Sequence, residues 1–230
     1  MSAPSSRLRN PFNHSPEERL RPLTGHEEEL IECYQGSNPS ALSNELLARC
    51  LTQPGAPIDE TLETVRAMTV MERNSALMEL RRTTLGDVVR AEVSCPKCGA
   101  TDQVDFQLSD LPVEALGGVQ PIETTLEDGT HVRLRLPTAG DQADLMDQEL
   151  DTHSAQVSWL LSRIIERFGE NVGPLDVDST RGLPIGHRRQ LEVAIDERLP
   201  DMDLNMEVTC VECAQEYTVP FEIISFFLTK

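Results

Sequence analysis

Cys95-Pro96-Lys97-Cys98-Gly99 and Cys210-Val211-Glu212-Cys213-Ala214 are the two stretches that decide how this chain is built. A Cys-x-x-Cys turn brings two sulfurs within reach of one metal, and backbone N–H groups in the turn stabilise the thiolates that bind it. Two such turns complete a tetrahedron, so Cys95, Cys98, Cys210 and Cys213 are the expected ligands of one structural Zn2+. In the first knuckle Pro96 restrains the turn, Gly99 permits a left-handed backbone and Lys97 offsets thiolate charge. The second carries Val211, Glu212 and Ala214 instead, and is the weaker motif taken alone. Its pairing with the first rests on the flanks. Val88, Val89 and Val93 lead into Cys95, Val104 and Phe106 lead away, and Met206, Val208, Tyr217, Val219 and Phe221 repeat that strand-like pattern around the second pair. Facing hairpin knuckles of this kind make a zinc ribbon.

The spacing requires the ribbon to be split, because 111 residues separate Cys98 from Cys210. Loop-closure entropy grows only logarithmically with length, so an inserted lobe is tolerable, and a metal that closes a long loop stabilises more than one closing a short loop. Structural zinc can contribute on the order of 10 kcal/mol to folding at neutral pH. A thioredoxin-like redox pair and two unrelated turns are the alternatives, and neither explains why both pairs sit between strand-like segments.

Outward from the knuckles, the chain divides into five parts. Residues 1–19, rich in Ser, Pro, Asn and Arg, are expected to form a flexible arm. Residues 20–84 are expected to be helical. Thr24 and Glu27 have capping-box spacing for a helix to about Tyr34, and Asn38-Pro39-Ser40 opens a second helix carrying Leu42, Leu46, Leu47 and Leu51. A turn at Gln53 to Pro57 follows, then Thr69 and Glu72 cap a helix running toward Arg82. Residues 85–120 supply the first ribbon half. Residues 121–200 form the inserted lobe: a hairpin from Ile122 to Leu136 turning at Asp128-Gly129, then helices predicted at Thr138 to Leu150, Val157 to Phe168 and Ile185 to Leu199. Trp159, Leu160, Ile164, Ile165 and Phe168 read as core. Residues 201–230 supply the second ribbon half and an apolar end, Phe221 to Leu228, expected to pack as core, with a docking strand or helix as the alternative. The fold class is α+β.

A net charge of −19 argues against binding a phosphate backbone, which needs clustered Lys and Arg. The acid excess serves either surface solvation or the choice of basic or polar protein partners. No stretch approaches the roughly 20 apolar residues that span a bilayer, and the polar, Arg-bearing start carries no export pattern, so no membrane insertion and a reducing, cytoplasmic compartment are expected. In that setting Cys pairs point to metal before disulfide, and Cys33 and Cys50 are expected to be ordinary buried thiols.

Catalysis has no recognisable signature. Four cysteines leave a zinc no open position for water. His14, His26, His131, His153 and His187 are scattered, and phosphate loops, nucleophile elbows and Cys/His pairings are missing as motifs. A non-enzymatic protein without a small-molecule substrate is expected, with a composite active site as the competing possibility.

The order of features carries a family resemblance. Arg21-Pro22-Leu23-Thr24-Gly25-His26-Glu27-Glu28 opens the fold, and Leu80-Arg81-Arg82 with Leu85-Gly86-Asp87 precedes the first knuckle. Asp110-Leu111-Pro112-Val113, Arg135-Leu136-Pro137-Thr138 and the second Cys pair follow it. From about residue 20 onward the chain resembles the baseplate hub assembly chaperone family of contractile-tailed phages, also found in phage-derived contractile injection systems. The second knuckle departs in lacking Pro and Gly. What the resemblance implies is a role in assembling a tail baseplate or injection machine, with tail or baseplate hub proteins as partners. The protein would be either a transient chaperone or a resident part of the virion or particle. A zinc-ribbon regulatory module that binds protein or nucleic acid is the reading from another class.

Overall fold

The computed structural model describes residues 20–34, 38–52, 57–110, 121–198, 205–220 and Phe227. The expected arm 1–19, most of the turn from Gln53, the Leu111-Pro112-Val113 motif, Pro200 and nearly all of the apolar end lie outside the described residues.

The fold is α+β. Four helices come first: α1 (Gly25–Cys33), α2 (Pro39–Leu51), α3 (Ile58–Ala67) and α4 (Val70–Leu85). Their starts are written in the sequence. Glu27 Oε2 accepts from the backbone N–H of Thr24 at 2.9 Å and its hydroxyl at 2.8 Å, and Glu72 does the same for Thr69. Asn38 caps α2 by accepting from the N–H of Ala41, with Pro39 at the first helical position, where its missing N–H costs nothing. The α3 helix was not foreseen as a separate element. It begins after Pro57 with Asp59 and Glu60 in its first turn, where acidic groups favour the positive end of the helix dipole.

Leu47, Val65, Leu77 and Leu80, all essentially fully buried, make the first core. Val89 and Leu108 join it from a hairpin of β1 (Val88–Ser94) and β2 (Thr101–Gln107). Phe227 packs against this core and against the neighbouring Ile31, Leu42 and Leu46 cluster, which agrees with the core reading at that residue.

A second core lies in the segment between the knuckles. Strands β3 (Ile122–Thr125), β4 (His131–Leu134), β5 (Ile165–Phe168) and β6 (Asn171–Val172) form an antiparallel sheet in that order. It packs with α6 (His153–Ile164) and α8 (Ile185–Asp196) around Leu134, Leu161, Ile164, Ile165 and Leu191. The Asp128-Gly129 turn forms as expected, with Gly129 at φ +85°. Between β8 (Glu216–Pro220) and β7 (Asn205–Thr209) a third sheet is a lone antiparallel hairpin.

Two helix expectations are corrected, and one unpredicted helix appears. The helix predicted through Phe168 ends at Ile164, and Ile165–Phe168 is strand β5. The spacing of Ile164, Ile165 and Phe168 suits a helix, but pairing with β4 places Leu134 opposite Ile165 and Val132 opposite Phe168. A β-branched and an aromatic residue fit that pleated surface well, and Gly169, at φ +59°, closes the turn. The helix predicted to Leu150 is α5 (Ala139–Met146), ended by a turn in which Glu149 takes φ +48°. The connection before α8 holds a short helix, α7 (Val177–Arg181), capped by Asp176. Among the described residues no helix is long and apolar enough to cross a membrane.

Candidate metal centre

Each cysteine pair sits at the tip of a hairpin, and the two tips share one backbone pattern. In the first, the N–H of Cys95 donates to the carbonyl of Ala100 at 2.8 Å and that of Gly99 to Cys95 at 2.9 Å. In the second, Cys210 donates to Gln215 and Ala214 to Cys210, both at 2.9 Å. The left-handed step after the second cysteine is made by Gly99 at φ +74° and by Ala214 at φ +53°. Ala214 thus adopts the conformation its position requires in spite of its Cβ, at about 1 kcal/mol. The missing glycine made this knuckle look weaker in sequence, yet its geometry matches the first.

The hairpins bring the four sulfurs together. Cys95 Sγ lies 3.7 Å from Cys213 Sγ and Cys98 Sγ lies 3.6 Å from Cys210 Sγ. All four ligand atoms fall within 4.8 Å of one another. The edge of a tetrahedron of sulfurs around zinc is about 3.8 Å for Zn–S bonds of about 2.3 Å. Both close pairs match that edge and far exceed a disulfide bond, and every cysteine is a free thiol. Cys95 and Cys210 are buried, Cys213 is half-buried and Cys98 is exposed. Sulfur chemistry, count and separation all fit a tetrahedral thiophilic cation.

The N–H of Cys98 aimed at the Cys95 sulfur outweighs burial and, with the N–H of Lys97, brings that thiol down to about 7. At Cys210 the N–H groups of Cys213 and Glu212 act the same way, but burial and the neighbouring sulfurs leave the thiol raised. A cation would replace this mutual opposition by attraction to all four.

Two residues beside the cluster are not among the site residues expected from the sequence. Tyr217 OH on β8 donates to Asp102 Oδ2 on β2 at 3.4 Å, linking one hairpin to the other. Asp102 is buried, and its Oδ1 has no hydrogen-bond partner among the described residues. Burial, then Asp102 itself, raises the Tyr217 phenol. An Asp and a Tyr on separate hairpins leave no spacing signal in a sequence.

The remaining candidates stay apart from the cluster. His26, His131 and His153 are exposed, His187 pairs with Asp128 at 3.5 Å, and His14 lies outside the described residues. Cys50 is buried and its thiol is pushed up to about 12 by that burial. Cys33, expected to be buried, is exposed. It stands in the last turn of α1, beside exposed Glu32, while Ile31 takes the inward position.

A family model described as T4 bacteriophage base plate protein matches residues 11–228. No curated protein matches the chain, and no solved structure does.

Proposed function

The chain belongs to the T4 bacteriophage base plate protein family, and from that membership we propose that it is a non-enzymatic, zinc-stabilised assembly protein of a contractile tail or injection-system baseplate, acting as a hub assembly chaperone. The observation that carries the structural half is the four-thiol cluster formed by two knuckles 111 residues apart in the chain. Four protein sulfurs fill a tetrahedral shell, so a zinc held by Cys95, Cys98, Cys210 and Cys213 would bond the hairpins together and leave no position for a reacting water. Its partners on this reading are other baseplate components, hub proteins foremost, and an acidic surface of net charge −19 suits basic partner faces.

The family's description as a base plate protein equally favours a second reading, a resident component of the finished baseplate. One experiment separates the two: expression in the native gene context, isolation of free protein and assembled particles, and quantitative mass spectrometry of each fraction with zinc measured alongside. Enrichment with unassembled hub subunits and absence from particles supports the chaperone. Stoichiometric presence in particles supports the resident part. A protein holding less than about half an equivalent of zinc, with none regained on refolding in zinc, overturns the metal assignment.

A further inference from the structure

Among the described residues the apolar clusters do not cross one boundary. The first core and its satellite are built from residues 20–108 and Phe227, whereas the second is built entirely from residues 122–195. Among the described residues, what joins them is a seam where α5 lies across α2, α3 and α4, and there polar contacts surround the small buried Ala139 and Ala143. Asn38 Nδ2 donates to the carbonyl of Ala143 at 2.8 Å, and Asn44 Nδ2 to that of Ala139 at 3.0 Å. Ser40 Oγ donates to Gln142 Oε1 at 3.0 Å, and Arg66 pairs with Asp144 at 2.7 Å. Two backbone bonds cross as well, from Val70 N–H to the Pro137 carbonyl and from Ala139 N–H to Met68.

At the centre stands Arg73, 5% exposed. Its guanidinium donates to Ser40, Asn44, Asn74 and Gln142, every acceptor neutral, and among the described residues it forms no ion pair. Burial pulls it down to about 10. A buried cation without a counter-charge carries a desolvation cost that water would relieve. Hydrogen bonds exchanged for bonds to water contribute little net free energy each, while opening either apolar core forfeits its burial. The docked seam is therefore weaker than the bodies it joins.

Gly140 makes the fit close. A Cβ there would meet the Arg66 carbonyl oxygen at 3.0 Å and the Arg66 Cβ at 3.3 Å.

We infer that the segment bearing β3–β6 and α5–α8 is a separately cooperative body that undocks from the helical part along the α5 seam, giving the protein a built-in plane of movement for fitting against its neighbours. Partial opening is expected where contacts are polar, and inter-domain interfaces that are not large and hydrophobic permit relative motion.

The test is native-state hydrogen exchange on the full wild-type chain and on Gly140→Leu, each over low urea concentrations. In the wild type, the Val70 and Ala139 amides should exchange at least tenfold faster than those of Leu80 and Leu161, through an opening with little urea dependence. In Gly140→Leu the two seam amides should gain at least a further tenfold while Leu80 and Leu161 keep their wild-type rates. Seam and core amides of the wild type exchanging through one opening with the full urea dependence would overturn the inference. So would a wedge that accelerates all four together, leaves the seam rates unchanged, or unfolds the chain.

Discussion

Replacing Glu27 with Gln removes a charge and almost no volume from a carboxylate that is 2% exposed. Arg21 donates to both of its oxygens, at 3.0 and 2.9 Å, and Thr24 donates twice more. The Arg21 hydrogen bonds first, opposed by burial and helped by Thr24, bring the carboxyl down from the usual 4.5 to about 2. A group that titrates there when folded and near its ordinary value when unfolded contributes about 3 kcal/mol at neutral pH. Arg21 is partly exposed, and solvent screening reduces this to about 2 kcal/mol. Because the folded value is the lower one, the contribution is complete above about pH 4.5 and disappears as the pH falls toward 2. Urea unfolding of wild type and Glu27→Gln at pH 7, 5, 4 and 3 measures it. The expected gap is about 2 kcal/mol at pH 7, reduced by roughly half at pH 3. A gap below about 0.5 kcal/mol at pH 7, or one that stays constant down to pH 3, would refute the reasoning.

The remaining predictions concern the knuckles and the second core. Cys98→Ser should abolish stoichiometric metal binding and release a closed loop of about 110 residues, costing about 5 kcal/mol by the cross-link relation. Metal analysis with urea unfolding of zinc-treated protein reads both, and a loss under about 1 kcal/mol would mean the clasp does not hold the hairpins. Ala214→Gly should stabilise by about 0.5 to 1 kcal/mol, and Gly99→Ala should destabilise by about 1 to 2, since each position demands the left-handed backbone. Thermal melts of the pair should move in opposite directions. Leu134→Ala, at a fully buried β4 position, should cost about 2 to 5 kcal/mol in chemical unfolding.

The Arg21 to Glu28 stretch, quoted above as a family feature, has a structural account. Its Glu27 is both the capping-box partner of Thr24 and the buried seat for Arg21, whose Nη2 also donates to the Arg49 carbonyl at 3.1 Å. The Arg135 to Thr138 stretch works the same way. Arg135 pairs with buried Asp141, which in turn accepts from the N–H of Thr138 at the start of α5.

Local chemistry was legible in the sequence wherever a residue acts on its near neighbours. Thr24, Thr69 and Asn38 opened their helices as predicted, and Asp128-Gly129 turned its hairpin, because capping and positive φ are settled within a few residues. That the four cysteines come together was legible because a shared metal would constrain their type and spacing, and the fold class followed from the strand alternation around them. Tertiary structure decided the rest. Ile165–Phe168 became a strand because an unpaired β4 edge offered hydrogen bonds worth more than its weak helical preference. The Tyr217–Asp102 contact and the Arg73 network join residues far apart in the chain, and each depends on where whole elements pack. Periodicity describes one element at a time. Which elements meet, and whether apolar or polar groups lie between them, is fixed by the summed burial of the whole chain, and that appears when the elements are assembled.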